Sequence, residues 1–242
     1  MTGATGNLGS AIVHKLASAG AVTALIARNA RRLERLKAHL PEGARACVQP
    51  ADVTRAYEVV EARDQVLEKV GPPDLLVIAA GVRRAAPFEE AIPADWDAML
   101  SVNVKGLMQT VQIFAPDILA AADQGRKADV VLLSSGIARE RQSAYSVFSS
   151  ISATVRQLAK HLRAEFGPRG VRVHHLANLF SSDIYDPTDL ASNHHDWITD
   201  QLEADMENAI SPTRVADTID LMLALPARAN LARATVQPTR TR

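Results

Sequence analysis

The sequence predicts an α/β chain built on a doubly wound, mainly parallel sheet and folded as one domain. Two observations carry this prediction. Thr2-Gly3-Ala4-Thr5-Gly6-Asn7-Leu8-Gly9 sets three glycines at intervals of three and runs straight into an apolar helical face of Ile12, Val13, Leu16 and Ala19. Behind it, short buried apolar runs alternate with amphipathic helical stretches along the whole chain, the pattern of strand–helix–strand units. Glycines that open a helix let backbone N–H groups approach an anion at the positive end of the helix dipole. In an α/β chain such a loop is a dinucleotide fingerprint, and Gly3, Thr5, Gly6, Asn7, Leu8 and Gly9 become candidate cofactor-binding residues.

The length of 242 residues allows one large domain or two small ones, and 47% hydrophobic residues suffice for a sizeable core. Lysine plus arginine and aspartate plus glutamate both number 27. This balance favours neither nucleic acid nor an anionic membrane as partner. Cys47 stands alone, which excludes an intrachain disulfide and fits a reducing compartment. No apolar run is long enough to span a bilayer, so a cytoplasmic protein is the expectation.

A dinucleotide fold needs a strand feeding the glycine turn, and only Met1 precedes Thr2. The first strand is therefore expected to be absent or truncated, with a start internal to a longer natural reading frame or a shortened one. After the first helix, residues 21–27 read as a buried strand, followed by a basic helix over 30–40. Between residues 21 and 33 there is no acidic side chain, while Arg28, Arg31 and Arg32 are present. An acid at this strand end would bind the ribose 2′-hydroxyl of NAD(H), whereas arginine suits a 2′-phosphate. Arg28 and Asn29 thus favour NADP(H) over NAD(H), the alternative for the arginines being a solvated helix face.

Residues 46–49 form a short strand ending in Ala51-Asp52-Val53, and a helix over 56–69 stops at Gly71-Pro72-Pro73. Residues 74–80 form a buried strand that runs into the small-residue turn Ala79-Ala80-Gly81, where a cofactor has room to lie against the backbone. A long helix is expected over 93–115. Asn103 and Gly106 are poor helix formers in its middle, and a polar Asn103 among Leu100, Val102, Val104 and Leu107 points to a buried polar role. A strand over 129–135 ends in two serines. A helix over 143–166, a strand over 171–176, a polar stretch over 181–208 and a helix from about Trp197 follow. Ser211-Pro212 caps a last helix to about Leu225, and residues 232–236 form the final strand. Residues 181–210 are expected to form a lid-like substrate segment within the domain.

Taken in order, Thr2–Gly9, Asp52-Val53, Ala79-Ala80-Gly81, Asn103-Val104-Lys105-Gly106, Ser134-Ser135 and Arg169-Gly170-Val171-Arg172-Val173 resemble the short-chain dehydrogenase/reductase family. The resemblance covers nearly the whole chain and implies a Rossmann-like fold. It also implies hydride transfer between a nicotinamide cofactor and a carbonyl or alcohol. Asp52, Val53, Ala79, Ala80 and Gly81 are implied as cofactor contacts. The every-third-residue glycine spacing is nearer the extended or atypical members, since the usual middle glycine comes one residue later.

In the family a Tyr exchanges the proton and a Lys four residues on lowers its pKa and holds the ribose. A Ser polarises the substrate oxygen and an Asn holds a water of the relay. Asn103 and Ser135 match the last two. Thirteen residues after Ser135 stands Phe148 in the Tyr position, and four further on Ser152 occupies the Lys position. A phenyl ring exchanges no proton, and a hydroxyl supplies no ammonium charge. Tyr145, three residues before Phe148, would on a helix project near the same face and is the stand-in candidate, with a pocket-wall or interface tyrosine as its other reading. Ile78-Ala79-Ala80-Gly81 stands where the family has its Asn-Asn-Ala-Gly turn, and Asn178-Leu179 replaces the Pro-Gly that lies against the nicotinamide.

Outside these motifs, adjacent His194 and His195 point about 100° apart on a helix and make a poor chelating pair, so no metal is expected. Trp197, with Ile198 and Leu202, reads as lid packing. Arg83, Arg84, Arg139 and Arg141 follow strand ends and either meet an anionic substrate or are solvated loop charge. Three functions are compatible with these residues. One is an atypical NADP(H)-dependent reductase of a small molecule. Another is a catalytically inactive subunit supporting an active paralogue in a mixed assembly. The third is a non-redox cyclase or dehydratase using Asn103 and Ser135. A homotetramer or dimer is implied by the family, whose members assemble through the helices around 93–115 and 143–166.

Overall fold

The structure, a computed structural model, describes residues 1–135, 144–178 and 210–239. Their order is α1 (Asn7–Ser18), β1 (Thr23–Ala27), α2 (Ala30–Ala38), β2 (Ala46–Pro50), α3 (Ala56–Val70) and β3 (Leu75–Ile78). There follow α4 (Pro93–Leu100), a π-helical turn (Ser101–Gly106), α5 (Leu107–Asp123), β4 (Ala128–Ser135), α6 (Ser146–Phe166), β5 (Val171–Asn178), α7 (Pro212–Ala224) and β6 (Arg233–Val236). Within the described residues the expected strands and helices are present with ends shifted by a few residues, apart from the long helix expected over 93–115, which is divided by the π-helical turn and runs on to Asp123. The lid expected over 181–210 lies outside the described residues except at its last position, as do Arg139, Arg141, Leu179, His194, His195 and Trp197.

Every strand pair is parallel, β1 with β2 on one side and β3-β4-β5-β6 on the other. The two halves are joined by residues 1–4. Thr2 bridges Ile26 of β1 and Ile78 of β3, both in parallel sense. The Thr2 N–H donates to the Val77 carbonyl at 3.0 Å and the Ala79 N–H to the Thr2 carbonyl at 3.3 Å, while Ile26 N–H reaches the Met1 carbonyl at 2.9 Å. The central strand is thus present as a stub. The sheet order is that of doubly wound dinucleotide folds, with residues 1–4 in the place of the first strand.

The two faces are covered by different helices, as the handedness of parallel crossovers requires. Ile26, Ile78, Leu132 and Val173 pack under Val59, Phe114, Ile118, Val155 and Leu162 of α3, α5 and α6. Val77, Val131 and Leu176 face Ile12, Leu16, Val215 and Ile219 of α1 and α7. Leu25 and Ala27 close the edge against Val13 and Leu33 of α1 and α2. The central strands therefore read as continuous apolar runs rather than alternating ones.

The long helix expected to stop at residue 115 instead continues to Asp123 with Pro116 inside it. Pro116 removes one backbone hydrogen bond and would ordinarily break the helix. Here the buried face of Phe114, Asp117, Ile118 and Ala121 keeps the segment on the sheet. Asp117 is also clamped to α3 by Arg63, whose Nε and Nη2 donate to its two oxygens at 2.6 and 2.8 Å.

A buried polar cluster fixes the far end of the sheet. Arg172 of β5 donates to both Asp129 oxygens of β4 at 2.6 and 2.8 Å, and His174 Nε2 lies 3.0 Å from Asp129 Oδ1. Arg172 also reaches the carbonyls of Leu225 and Ala229, tying down the turn between α7 and β6. Although burial opposes its charge, hydrogen bonds from His174 and Arg172 hold the Asp129 carboxyl below the usual carboxylate range. On the other face, His175 is 2% exposed and its Nε2 lies 2.7 Å from Ser134 Oγ. Burial, with Arg233 and Arg163 nearby, lowers its pKa to about 4.

His175 is therefore folded in its neutral form. Its stabilising contribution is complete above the unfolded value near 6.5 and is lost as pH falls from there toward 4, on the order of 3 kcal/mol in all. Urea unfolding at pH 7, 6, 5 and 4.5 is expected to show this decline in the wild type and a clearly shallower one in His175→Asn.

Candidate active site

The glycine loop is built from backbone contacts that admit no side chain. Gly3 has φ +68°, and a Cβ placed there would lie 2.4 Å from the Ala80 nitrogen. A Cβ on Gly9 would lie 2.0 Å from the Gly3 carbonyl oxygen. The stub, the start of α1 and the Ala79-Ala80 turn after β3 thus touch backbone to backbone. Gly6 differs, with φ −70° and only the Gly3 oxygen, at 3.5 Å, near the place a methyl would take. Gly6 and Asn7 are exposed. Gly6 caps α1 without a side-chain hydrogen bond, and no acidic residue stands in the first turn. The twelve-residue α1 thus begins at exposed Gly6 and Asn7 with the positive end of its dipole there and no acidic side chain in its first turn.

The basic candidates lie beside this opening. Arg28 and Asn29 follow β1 and are exposed, and the Asn29 side chain caps α2 by accepting from Arg32 N–H at 3.0 Å. Arg32 Nη2 donates to the Thr5 carbonyl at 3.1 Å, so Arg32 rather than Arg28 is held against the glycine loop. Leu8 packs inward with the α1–α7 core. Asp52 Oδ1 accepts from the Thr54 N–H and hydroxyl at 2.9 and 2.8 Å, shaping the turn after β2. Val53 is buried against the π-helical turn, where a Cβ on Gly106 would come within 2.9 Å of its Cγ2. Gln109 Nε2 donates to the Val53 carbonyl at 3.0 Å.

Asn103 has the buried polar role its setting predicts. It is 9% exposed. Its Oδ1 accepts from the Val82 N–H at 2.8 Å and its Nδ2 donates to the Val82 carbonyl at 2.7 Å. The poor helix residues Asn103 and Gly106 coincide with the π-helical turn, Ser101–Gly106, which aims Asn103 at the loop after β3. Ser135 ends β4 half-buried, opposite Asn178 in the parallel register with β5.

Tyr145 differs from its helical expectation. It precedes α6 at the N-cap position with φ −114°, and Ala144 before it has φ +66°. Ala144 is the one non-glycine residue with positive φ among the described residues. Tyr145 is nevertheless 3% exposed and packs with Met99, Phe148 and Ile151, with Val82 and Val104 alongside. The cluster therefore reaches the neighbours on either side of the Asn103 clamp. Phe148 and Ser152 lie inside α6 at 9% and 4% exposure. Arg83 stands over the Tyr145 ring, its Cζ 5.4 Å from the centroid, a pairing that residue spacing gave no means of finding. Arg84 turns away, its Nε 3.4 Å from Asp95. Among the described residues no group of three metal-ligating side chains occurs, and no helix is long and apolar enough to cross a membrane.

A Gly9→Ala substitution forces a methyl into the Gly3 carbonyl, backbone against backbone, and is expected to cost about 2–3 kcal/mol or more in chemical denaturation. Gly6→Ala, whose methyl meets only ordinary contact distance, is expected to unfold with the wild type.

The profile of the family described as short chain dehydrogenase matches residues 1–183. An uncharacterised oxidoreductase from Staphylococcus saprophyticus is 27% identical over 240 residues, spanning 98% of this chain and 95% of that protein. L-xylulose reductase from Bos taurus is 33% identical over 173 residues, 72% of this chain and 67% of the reductase. Among solved structures, an NADPH-bound short chain oxidoreductase from Pseudomonas aeruginosa with an atypical catalytic centre superposes with a TM-score of 0.85. It is 25% identical, and the match covers 100% of this chain and 95% of that one. The all-parallel sheet, the glycine loop at its centre and these matches together make the chain a member of the short-chain dehydrogenase/reductase family.

Proposed function

We propose that this protein is an NADP(H)-dependent oxidoreductase acting on a small carbonyl or alcohol, with an acid–base site that departs from the family's Tyr–Lys pair. The observation that carries the reading is the glycine loop, which packs backbone to backbone against Ala79-Ala80 and leads into an α1 whose first residues, Gly6 and Asn7, are exposed and whose first turn has no acidic residue. The residues around it fit the cofactor. The first N–H groups of α1 would hold the pyrophosphate. Arg32, held against Thr5, and exposed Arg28 would meet a ribose 2′-phosphate. The NADPH-bound Pseudomonas relative supports the same choice of nucleotide.

A bound nicotinamide supplies or accepts the hydride at the substrate carbon. The chain's own residues have the remaining work. Asn103 fixes Val82 and so the turn on which the reacting end of the site rests. Ser135, at the mouth of β4, donates a hydrogen bond to the substrate oxygen. Buried Tyr145 is the proton carrier, because Phe148 and Ser152 have neither a phenol nor an ammonium to offer. The relation to L-xylulose reductase makes short polyhydroxylated ketones and their alcohols the first substrates to try.

Fluorescence titration of the full chain is expected to give a micromolar Kd for NADPH and much weaker binding of NADH. Arg32→Ala is expected to weaken NADPH about tenfold, roughly 1.4 kcal/mol, and to leave NADH unchanged. Binding of neither nucleotide would refute the reductase reading. It would favour the inactive-subunit alternative, to which the buried Phe148 and Ser152 also lend weight.

A further inference from the structure

The loop after β3 places a cation on the ring of the one buried tyrosine among the described residues. Arg83 is 9% exposed and its guanidinium carbon lies 5.4 Å from the Tyr145 ring centroid, inside the range of a cation–π contact. Each partner is held by a separate device. On the arginine side, Asn103 grips the adjacent Val82 through both its N–H and its carbonyl. On the tyrosine side, Ala144 is fixed at φ +66°, and its carbonyl accepts from the Ala86 N–H at 3.0 Å. A non-glycine residue in the left-handed region is held there against its own preference, and such strain collects where a neighbour must be aimed. The adjacent Arg84 is engaged elsewhere, with Asp95 and with the Arg83 carbonyl. Of the two adjacent arginines it is Arg83 whose guanidinium lies over the Tyr145 ring.

We propose that Arg83 is a positioning residue for Tyr145, fixing its ring and stabilising the negative charge left on the phenol oxygen when the proton departs. It thereby supplies from the loop after β3 the positive charge that Ser152 on α6 lacks. A guanidinium over the ring face favours the neutral phenol through the ring quadrupole and favours the phenolate more strongly through direct charge attraction. In the step it serves, the substrate oxygen takes the phenolic proton as the carbonyl carbon is reduced by the nicotinamide hydride. The O–H electron pair stays on Tyr145, and water later restores the proton. The inference rests on the reductase reading, with Tyr145 as the proton carrier.

The test compares wild type, Arg83→Met, Arg83→Lys, Tyr145→Phe and the Arg83→Met/Tyr145→Phe double variant. The near-ultraviolet difference spectrum between Arg83→Met and wild type is expected to contain a tyrosine band, and the same comparison in the Tyr145→Phe background is expected to contain none. The Kd for NADPH should stay within about twofold. In NADPH-dependent reduction of a panel of ketoses, α-diketones and simple aldehydes, Arg83→Met should lower kcat about tenfold to a hundredfold with KM little changed, and Arg83→Lys should recover part of the loss. With Tyr145→Phe already present, Arg83→Met should cost less than about twofold more. An equal loss in that background, a loss confined to KM, or no loss would overturn the proposal. Wild type that binds NADPH and reduces nothing in the panel would overturn it while leaving nucleotide binding intact. Wild type that binds no NADPH removes the reductase reading itself.

Discussion

Everything in this molecule is arranged around one close approach of three backbones. Gly3 leaves the central stub and lies against Ala79-Ala80, and the first turn of α1 lies against Gly3. Main-chain hydrogen bonds from Thr2 to β3 and from residues 1 and 4 to β1 hold the same junction from below. A side chain at Gly3 or Gly9 would push apart the two halves of the sheet or lift α1 from them. The contact that joins the sheet is thus the contact that shapes the glycine turn, so the fold and the proposed cofactor site share one constraint. The helices then follow, α1, α2 and α7 on one face and α3, α5 and α6 on the other, because parallel strands buried on both sides leave no other place for them.

Much of this was legible in the residues. Three glycines ahead of an apolar helical face announced the loop, and unbroken apolar runs such as 74–80 and 129–133 announced buried parallel strands. Asn103 gave itself away as a polar residue among Leu100, Val102, Val104 and Leu107, and it is buried with its side chain bonded to both the N–H and the carbonyl of Val82. Where sequence reasoning fell short, tertiary contacts had overridden local propensity. The long helix read as ending at residue 115, but the Arg63–Asp117 pair and the face around Ile118 carry it through Pro116 to Asp123. The first strand, expected to be absent or truncated, is the truncated stub, its place held by the backbone bonds of Met1, Thr2 and Ala4 to β1 and β3.

The reacting end of the site was the least legible part. Counting from Ser135 located Phe148 and Ser152, and Tyr145 does pack beside Phe148 as the spacing suggested, but from the N-cap position, because the helix begins only at Ser146 and Ala144 turns the chain sharply before it. Arg83 and Tyr145 are 62 positions apart in the chain, and only the fold brings the guanidinium over the ring. Likewise nothing in Val171–Asn178 marked His174 for an Asp129 pair on one face of β5 and His175 for Ser134 on the other. Alternation along a strand sends adjacent histidines to opposite sides, which a reading for metal chelation would not have separated.

If the junction at Gly3 is a working nucleotide site, a bound nucleotide must quiet the backbone there. Amide hydrogen exchange of the full chain with and without saturating NADP+ tests this at the residues concerned. The prediction is slowed exchange over residues 3–9 and 79–82, with a smaller effect at 28–32 and none at the Arg172–Asp129 end of the sheet. Exchange unchanged at 3–9, whether or not slowing occurs elsewhere, would contradict it.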